Sequence, residues 1–336
     1  TFNRNKRSIA LDLKSPEGLE IARRLIGGAD VLTENFRPGA LDAMGLGYEA
    51  CRSLNPRLVY CSLKGFLSGP YQERAALDEV VQMMAGLAYM TGPKGRPLRA
   101  GSSVNDIMGG MFAVIAILAA LRERDQTGEG QRVVSALFEN CALLSAQHMM
   151  QYAVSGKPAP PMPDRLAAWG IYDVFDCVDG QLFIGVVTDT QWRVFCEAFG
   201  LADLHADPGL ATNTKRCGRR DDFMPRLRAL FSGWTLADLE AKVASAGLPY
   251  APIVRPEQLF DDPHLKASGG LLPITLPDGR ETVTPALPIE LDGRRLGVRL
   301  GLPRVGEHGR DVLGGIGLSE QEIAALERRG IVGKAP

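Results

Sequence analysis

The sequence predicts a parallel α/β fold with a smaller α+β unit in the middle of the chain. Three observations carry this reading. Strand-like and helix-like segments alternate between residues 8 and 63, which is the pattern of a parallel sheet. A proline-rich stretch at 156–163 breaks that pattern and reads as a linker. Beyond it come a hairpin and several helices, and from about Val254 short strands with Gly/Pro turns.

The elements follow in order. Residues 8–13 alternate apolar and polar side chains and read as a first strand. Ser15-Pro16-Glu17 offers an N-cap with proline at the first helical position. The helix runs to Ile26, where Gly27-Gly28 stop it. Residues 29–33 form the next strand and end in a polar loop at 34–39. A short helix carries Leu41 to Met44. Residues 57–63 form a third strand that ends in Lys64-Gly65-Phe66. In parallel sheets ligands sit beyond the carboxyl ends of strands. The loops at 34–39 and 64–69 are therefore the expected ligand site.

Residues 77–90 read as one apolar helix and residues 107–124 as a longer one. The apolar run at 107–121 falls short of the roughly 20 residues a membrane span needs, so a buried core helix is expected. Residues 132–137 form a strand leading into a helix at 138–153. Two strands flank Asp179-Gly180, a hairpin turn, within 171–187. Helices are expected at 190–199, 219–232, 235–246 and 318–328.

Composition narrows the function. The 38 Lys+Arg against 39 Asp+Glu give a net charge of −1, which argues against a nucleic-acid or membrane-surface binder. The 45% hydrophobic content supports a sizeable core rather than disorder. The six cysteines form no CxxC pair and the histidines number four. No zinc site or disulfide framework is expected, and a reducing cytoplasm fits. No GxGxxG, P-loop, HExxH or GxSxG motif is present, which argues against a conventional dehydrogenase or NTPase. The chain opens without Met, straight into its first strand-like segment, with no signal peptide. The first element of a larger domain is expected to be missing.

Two carboxylates stand out. Asp106 lies between a small-residue segment at 101–105 and the long apolar helix. It reads as an N-cap, or as an ionised carboxylate at the positive end of the helix dipole, able to act as a nucleophile. Gly109-Gly110 would let another group approach the backbone there. Asp78, beside Glu79, opens the helix at 77–90, either complementing its dipole or facing the same pocket as Asp106. Arg4, Lys6, Arg7 and Lys14 form a basic cluster, solvated or phosphate-holding. His205, His264 and His308 fall in loops, and no triad is expected. The cysteines read as small core hydrophobes.

Long motifs run through the chain: N-x-N-K-R-S-I-x-L-D-L-K-x-P-E-G at 3–18, A-D-V-L-x-E-N-F-R-P-G at 29–39, M-G-L-G-Y-E at 44–49 and N-P-R-L-V-Y-C-S at 55–62. G-P-Y at 69–71, Asp78 with Gln82, G-L-x-x-x-T-G at 86–92, Asp106, A-x-L-A-A-L-R-E-R at 116–124 and T-G-x-G-Q at 127–131 follow, then D-P-H at 262–264 and G-E-H at 306–308. In this order and spacing they resemble the class III CoA-transferases, the CaiB/BaiF family.

The resemblance implies a Rossmann-like large domain built from both chain ends, a small domain between, and two subunits interlocked like links of a chain. Residues 1–165 and 254–336 would make the large domain and 171–253 the small one. It implies CoA transfer from an acyl-CoA thioester to a free carboxylic acid through a covalent aspartyl intermediate on Asp106, supported by Asp78. Leu11, Lys14, Asn35 and Phe36 match CoA-contacting positions. Arg37 and Arg74 are candidates to replace two family cations, because Ala43 stands where Arg is frequent and Ala75 where some members have Lys. CoA would come and go as a substrate, with no permanently bound cofactor and no metal. The alternative is an acyl-CoA racemase. That branch carries a histidine base where this chain has Leu77, and leucine moves no proton. The small domain shows no counterpart of the glycine-rich loop of the formyl/oxalyl-type transferases, which argues against that substrate pair.

Overall fold

A computed structural model describes residues 2–164 and 168–333. The chain divides into two compact units, Thr1–Asp164 with Leu271–Pro336, and Arg165–Gly270.

The first unit opens with α1 (Pro16–Gly27), capped by the Ser15 hydroxyl, which accepts the Gly18 N–H at 2.9 Å. It continues through β1 (Val31–Glu34), α2 (Ala40–Ala43), α3 (Tyr48–Leu54), β2 (Val59–Lys64), α4 (Asp78–Met84), α5 (Leu87–Thr91), α6 (Val104–Thr127), β3 (Arg132–Ala136) and α7 (Leu137–Ser155). The three strands form a parallel sheet in the order β1-β2-β3, with Val31 opposite Val59 and Cys61 opposite Val133. Central β2 buries Val59, Tyr60, Cys61 and Ser62 in succession. Such a continuous buried run belongs to a strand covered on both faces. Ile26, Leu41, Leu46 and Leu58 pack one cluster, and Phe66, Val81 and Cys141 another between α4 and α7.

Three expectations need correction here. Residues 8–13 do not join the sheet. Leu11 makes one antiparallel bridge to Val332, flanked by Asp12 N–H to Ile331 C=O and Gly333 N–H to Ala10 C=O, both 2.9 Å. The apolar alternation is satisfied by a cluster of Ile21, Leu313, Ile323 and Val332, against which Leu11 packs. The helix at 77–90 is two helices, because Gly86 adopts φ +84°, a left-handed conformation that ends the helical run.

The long helix is not a buried core helix. Val104–Thr127 contains an 18-residue stretch with a mean hydropathy of 2.0 and is long and apolar enough to cross a membrane by length and composition. It buries small residues, Gly109, Ala113 and Ala120, where it nears the sheet and α7. Met111, Val114, Ile115 and Leu118 are 55–61% exposed. Apolar content alone does not say which face is covered.

The second unit holds β4 (Ile171–Asp176), β5 (Gln181–Val186), α8 (Asp189–Phe199), α9 (Ala202–Ala206), α10 (Asn213–Gly218), α11 (Arg220–Phe231), α12 (Leu236–Ser245), β6 (Tyr250–Pro252) and α13 (Pro263–Ala267). β4 and β5 form the expected antiparallel hairpin, and β6 pairs antiparallel with β5. Its core is aromatic: Phe175, Trp192, Phe195, Phe223 and Phe231 are almost fully buried. All three tryptophans of the chain are here, Trp192 in that core, Trp234 packed against it and Trp169 with its ring 4.6 Å from that of Tyr172. Fully buried Arg216 pairs with Asp189, donates to the Leu210 carbonyl at 2.9 Å and lies 5.1 Å from the Trp192 ring centroid.

This unit extends to Gly270, past the boundary expected at 253, because residues 256–267 fold into two short helical segments that pack on each other. The boundary expected at 165 lies outside the described residues. His205 and His264 sit in the short helices α9 and α13 rather than in loops.

The chain then adds β7 (Leu271–Thr275) and β8 (Glu281–Pro285), an antiparallel pair, the small β9 (Glu290–Leu291) and β10 (Arg294–Arg295) pair, α14 (Gly309–Gly315) and α15 (Glu320–Arg328). His308 ties this return segment to the chain opening, its Nδ1 accepting the Ser8 N–H at 3.1 Å and its own N–H reaching the Ser8 carbonyl at 2.9 Å.

Candidate active site

The carboxyl ends of β1 and β2 open on a cleft of about 930 Å³. Asn35, Phe36 and Arg37 line it from the loop after β1, Lys64 and Gly65 from the end of β2, and residues 74–77 from the approach to α4. Asp106 and Gly109 of α6 line it too, with Ser135 at the end of β3. A second hollow of about 770 Å³ shares Arg37, Lys64, Gln72 and Glu73 with the first.

The loop after β1 is fixed by an ion pair that sequence reasoning did not single out. Lys64 Nζ lies 2.8 and 2.9 Å from the two Glu34 carboxylate oxygens, and both side chains are largely buried. Lys64 also donates to the Phe36 carbonyl at 2.7 Å, and Glu34 accepts the Phe36 N–H at 2.9 Å. The backbone of Phe36 is thus held from both sides, while its ring is 44% exposed. The signal available in the sequence was position: both residues end parallel strands, where polar side chains face the ligand crevice.

Asp106 is not the helix cap. α6 starts two residues earlier, with Ser103 at the cap, and Asp106 falls in the first turn, open to the cleft. Asp78 is buried beside it. Its Oδ1 accepts the Asn105 N–H at 2.9 Å and its Oδ2 accepts Gln82 Nε2 at 2.6 Å. Gln82 Oε1 in turn accepts the Ala100 N–H at 2.8 Å. Asp78 and Gln82 thereby pin both the start of α6 and the loop leading into it. Asp78 supports the cleft from behind and does not line it.

The Asp106 carboxyl is pushed above the usual carboxylate range, first by desolvation against the cleft wall and then by the Asp78 charge, with Arg99 pulling the other way. Helix-dipole reasoning led to the opposite expectation. Arg99 lies 3.9 Å from Asp78 Oδ2 and 3.7 Å from Glu79 Oε2. It sits in an irregular loop, where no periodicity betrays it.

Of the residues expected to contact CoA, Asn35, Phe36, Arg37 and Arg74 meet in the cleft with Asp106. Leu11 and Lys14 are not among its lining residues. Leu11 packs in the cluster around Val332, and the Lys14 side chain is exposed, its backbone N–H donating to Asp12 Oδ1 at 2.9 Å. Ala75 lines the cleft next to Arg74, whose guanidinium lies 5.9 Å from the Tyr71 ring centroid. Leu77 lines it as well and is 70% exposed.

Known proteins match this arrangement along the chain. CoA-transferase family III matches residues 1–309. A succinate–glutarate CoA-transferase of Agrobacterium fabrum is 36% identical over 97% of this chain and 80% of its own length. A succinyl-CoA–D-citramalate CoA-transferase of Chloroflexus aurantiacus is 31% identical over 98% of this chain and 83% of its own. The crystal structure of a CaiB/BaiF family protein from Brucella suis superposes with a TM-score of 0.83 at 36% identity, covering 94% of this chain and 82% of that one. A likeness of this extent, in sequence and in backbone, reaches well beyond the cleft: the chain belongs to CoA-transferase family III and is a CoA-transferase.

Proposed function

We propose that the protein moves CoA from an acyl-CoA thioester to a free carboxylic acid through a covalent intermediate on Asp106. The observation that carries this is Asp106 itself, a solvent-open carboxylate in the first turn of α6, on the wall of the cleft that also holds Asn35, Phe36, Arg37 and Arg74.

The Asp106 carboxylate attacks the thioester carbonyl, forming a mixed anhydride and expelling CoA thiolate. The thiolate attacks the aspartyl carbonyl, giving an aspartyl-CoA thioester and releasing the donor acid. The acceptor carboxylate then attacks that thioester and again expels thiolate. The thiolate attacks the acceptor's carbonyl, and the Asp106 carboxylate is restored. The first step uses the ionised Asp106 carboxylate as nucleophile, and a carboxyl raised above the ordinary range is the more basic nucleophile once ionised.

CoA enters as a substrate. Arg37 and Arg74 pair with its phosphates, and the exposed Phe36 ring contacts its nucleotide end. Arg74 neighbours Ala75 on the cleft wall and takes over the charge a lysine would carry there. The acids in the names of the relatives, succinate, glutarate and citramalate, all carry two carboxylates. We extend that substrate class to this chain. The racemase alternative requires a base at the α-carbon. Leu77 offers none, and no histidine is among the residues lining the cleft. A second subunit is part of the same reading, and the exposed apolar face of α6 supports it. Light scattering tests that part, and a monomeric mass overturns it.

The deciding experiment incubates the protein with a panel of acyl-CoAs, quenches, and records intact mass with and without hydroxylamine. An adduct mapping to Asp106, absent in Asp106→Ala, is expected. Deuterium entering the acyl α-carbon without any adduct overturns the transferase mechanism in favour of racemisation.

A further inference from the structure

We infer that Leu77 reads the first carbons of the acyl chain and selects acids unsubstituted there over acids that carry a hydroxyl. The inference rests on the proposed transfer chemistry at Asp106 and narrows the acids that enter it.

One hydrogen bond brings Leu77 and Asp106 together. Asp78, the residue after Leu77, accepts the N–H of Asn105, the residue before Asp106, at 2.9 Å. Leu77 and Asp106 therefore flank the same contact, and both line the cleft. The backbone of Leu77 is fixed. It stands at the cap of α4 in an extended conformation, its carbonyl accepting the Val81 N–H at 3.1 Å, and Asp78 is bonded to both Asn105 and Gln82. The side chain is 70% exposed, so its apolar surface is open to what enters the cleft. An acyl group bonded to Asp106 carries its next carbons only a few bond lengths away, within reach of a neighbouring leucine.

The wall around this point is apolar. Ala75 and Ala76 precede Leu77 along the cleft. Gly109, three residues beyond Asp106, lines it too, with Leu137 Cδ2 3.4 Å from where a Cβ on that glycine would stand. The Ser135 hydroxyl oxygen is buried and closed to solvent. The cleft's amide and charged side chains other than Asp106 come from the end of β2 and the loops that follow β1 and β2. Desolvation leads the causes that raise the Asp106 carboxyl, as such surroundings require. Methylene carbons gain by leaving water against Leu77. A hydroxyl in the same place gives up its water and finds no hydrogen-bond partner in the leucine. Apolar surfaces of this kind reject an added hydroxyl by up to about 100-fold.

The test compares butyrate with 3-hydroxybutyrate, and glutarate with 3-hydroxyglutarate, as acceptors from succinyl-CoA. Each pair differs by one hydroxyl. The wild type, Leu77→Ala and Leu77→Gln are assayed for product acyl-CoA, with circular dichroism to confirm folding. Calorimetry adds the Kd of butyryl-CoA and 3-hydroxybutyryl-CoA on Asp106→Ala protein, with and without Leu77→Ala, where no adduct forms. The wild type is expected to favour the unsubstituted acid about tenfold in kcat/KM. Leu77→Ala should bring that ratio within about threefold, chiefly through KM for the unsubstituted acid. Leu77→Gln, which offers a donor and an acceptor, should bring it to parity or reverse it. Equal use of both acids by the wild type, or an unchanged ratio in the folded variants, overturns the role of Leu77 while transfer at Asp106 stands. Absence of the Asp106 adduct overturns the mechanism instead, and a Kd ratio that Leu77→Ala abolishes then still supports Leu77 as the reader of the acyl chain.

Discussion

Asp78 accepts the backbone N–H of Asn105 at 2.9 Å, one residue before Asp106. A carboxylate from one helix thus satisfies an amide at the start of another that intrahelical bonding leaves open. Asp78→Ala strands that buried amide and frees Gln82. We expect a loss of about 1–3 kcal/mol in denaturant unfolding. Asp78→Asn retains an acceptor oxygen and should lose less.

The pH dependence of transfer follows from the same neighbourhood. Because the Asp106 carboxyl is raised, activity should fall on acidification at a pH above the ordinary aspartate value of about 4. Arg99 lowers that carboxyl, so Arg99→Ala should move the acid limb of the kcat/KM profile up. Asp78 raises it, so Asp78→Asn should move the limb down. The stability sign is fixed as well. A carboxyl raised in the fold binds its proton more tightly there than in the unfolded chain. Its contribution is therefore favourable below the unfolded value and lost as pH rises through the folded one. Asp106→Asn should remove that part of the dependence in chemical melts at stepped pH.

Lys64 and Glu34 should behave as a unit. Lys64→Met leaves Glu34, with only 4% of its side chain exposed, without its counter-charge. A loss of about 3–5 kcal/mol is the scale for breaking such a buried pair. KM for acyl-CoA should rise because the Phe36 carbonyl loses its donor. Lys64→Met combined with Glu34→Gln should be less destabilised than Lys64→Met alone. A double-mutant cycle measures that coupling, and additive losses would separate the two residues.

Gly65 makes a close approach possible. A Cβ there would stand 2.2 Å from the Ala76 Cβ. Gly65→Ala should displace the cleft wall at 74–77 and cost about 1–3 kcal/mol. Steady-state kinetics should show KM for acyl-CoA rising more than kcat falls.

The parallel sheet was legible because β1 and β2 are short apolar runs closed by polar loops, and periodicity reports local pairing well. The loops after them were legible as a ligand site from sheet geometry alone. Leu11 was misread because alternation records a half-buried face but not its partner, and that partner, Val332, comes from the other end of the chain. Gly86 stood in plain view, yet a glycine inside a helical pattern does not announce a left-handed turn. Asp106 was identified, but its titration depends on Asp78 and Arg99, which converge on it only through the fold. Arg99 and the Glu34–Lys64 pair draw their meaning from distances that no spacing encodes.

The placement of the three tryptophans has a spectroscopic consequence. Indole emission reports on the second unit alone, and above all on Trp192 in its aromatic core. The parallel sheet and its cleft melt without a native fluorophore of that kind, whereas far-ultraviolet dichroism follows the helices of both units. Melting curves from the two signals therefore count cooperative blocks: coincidence means one, and separation dates the collapse of the cleft against that of the aromatic core.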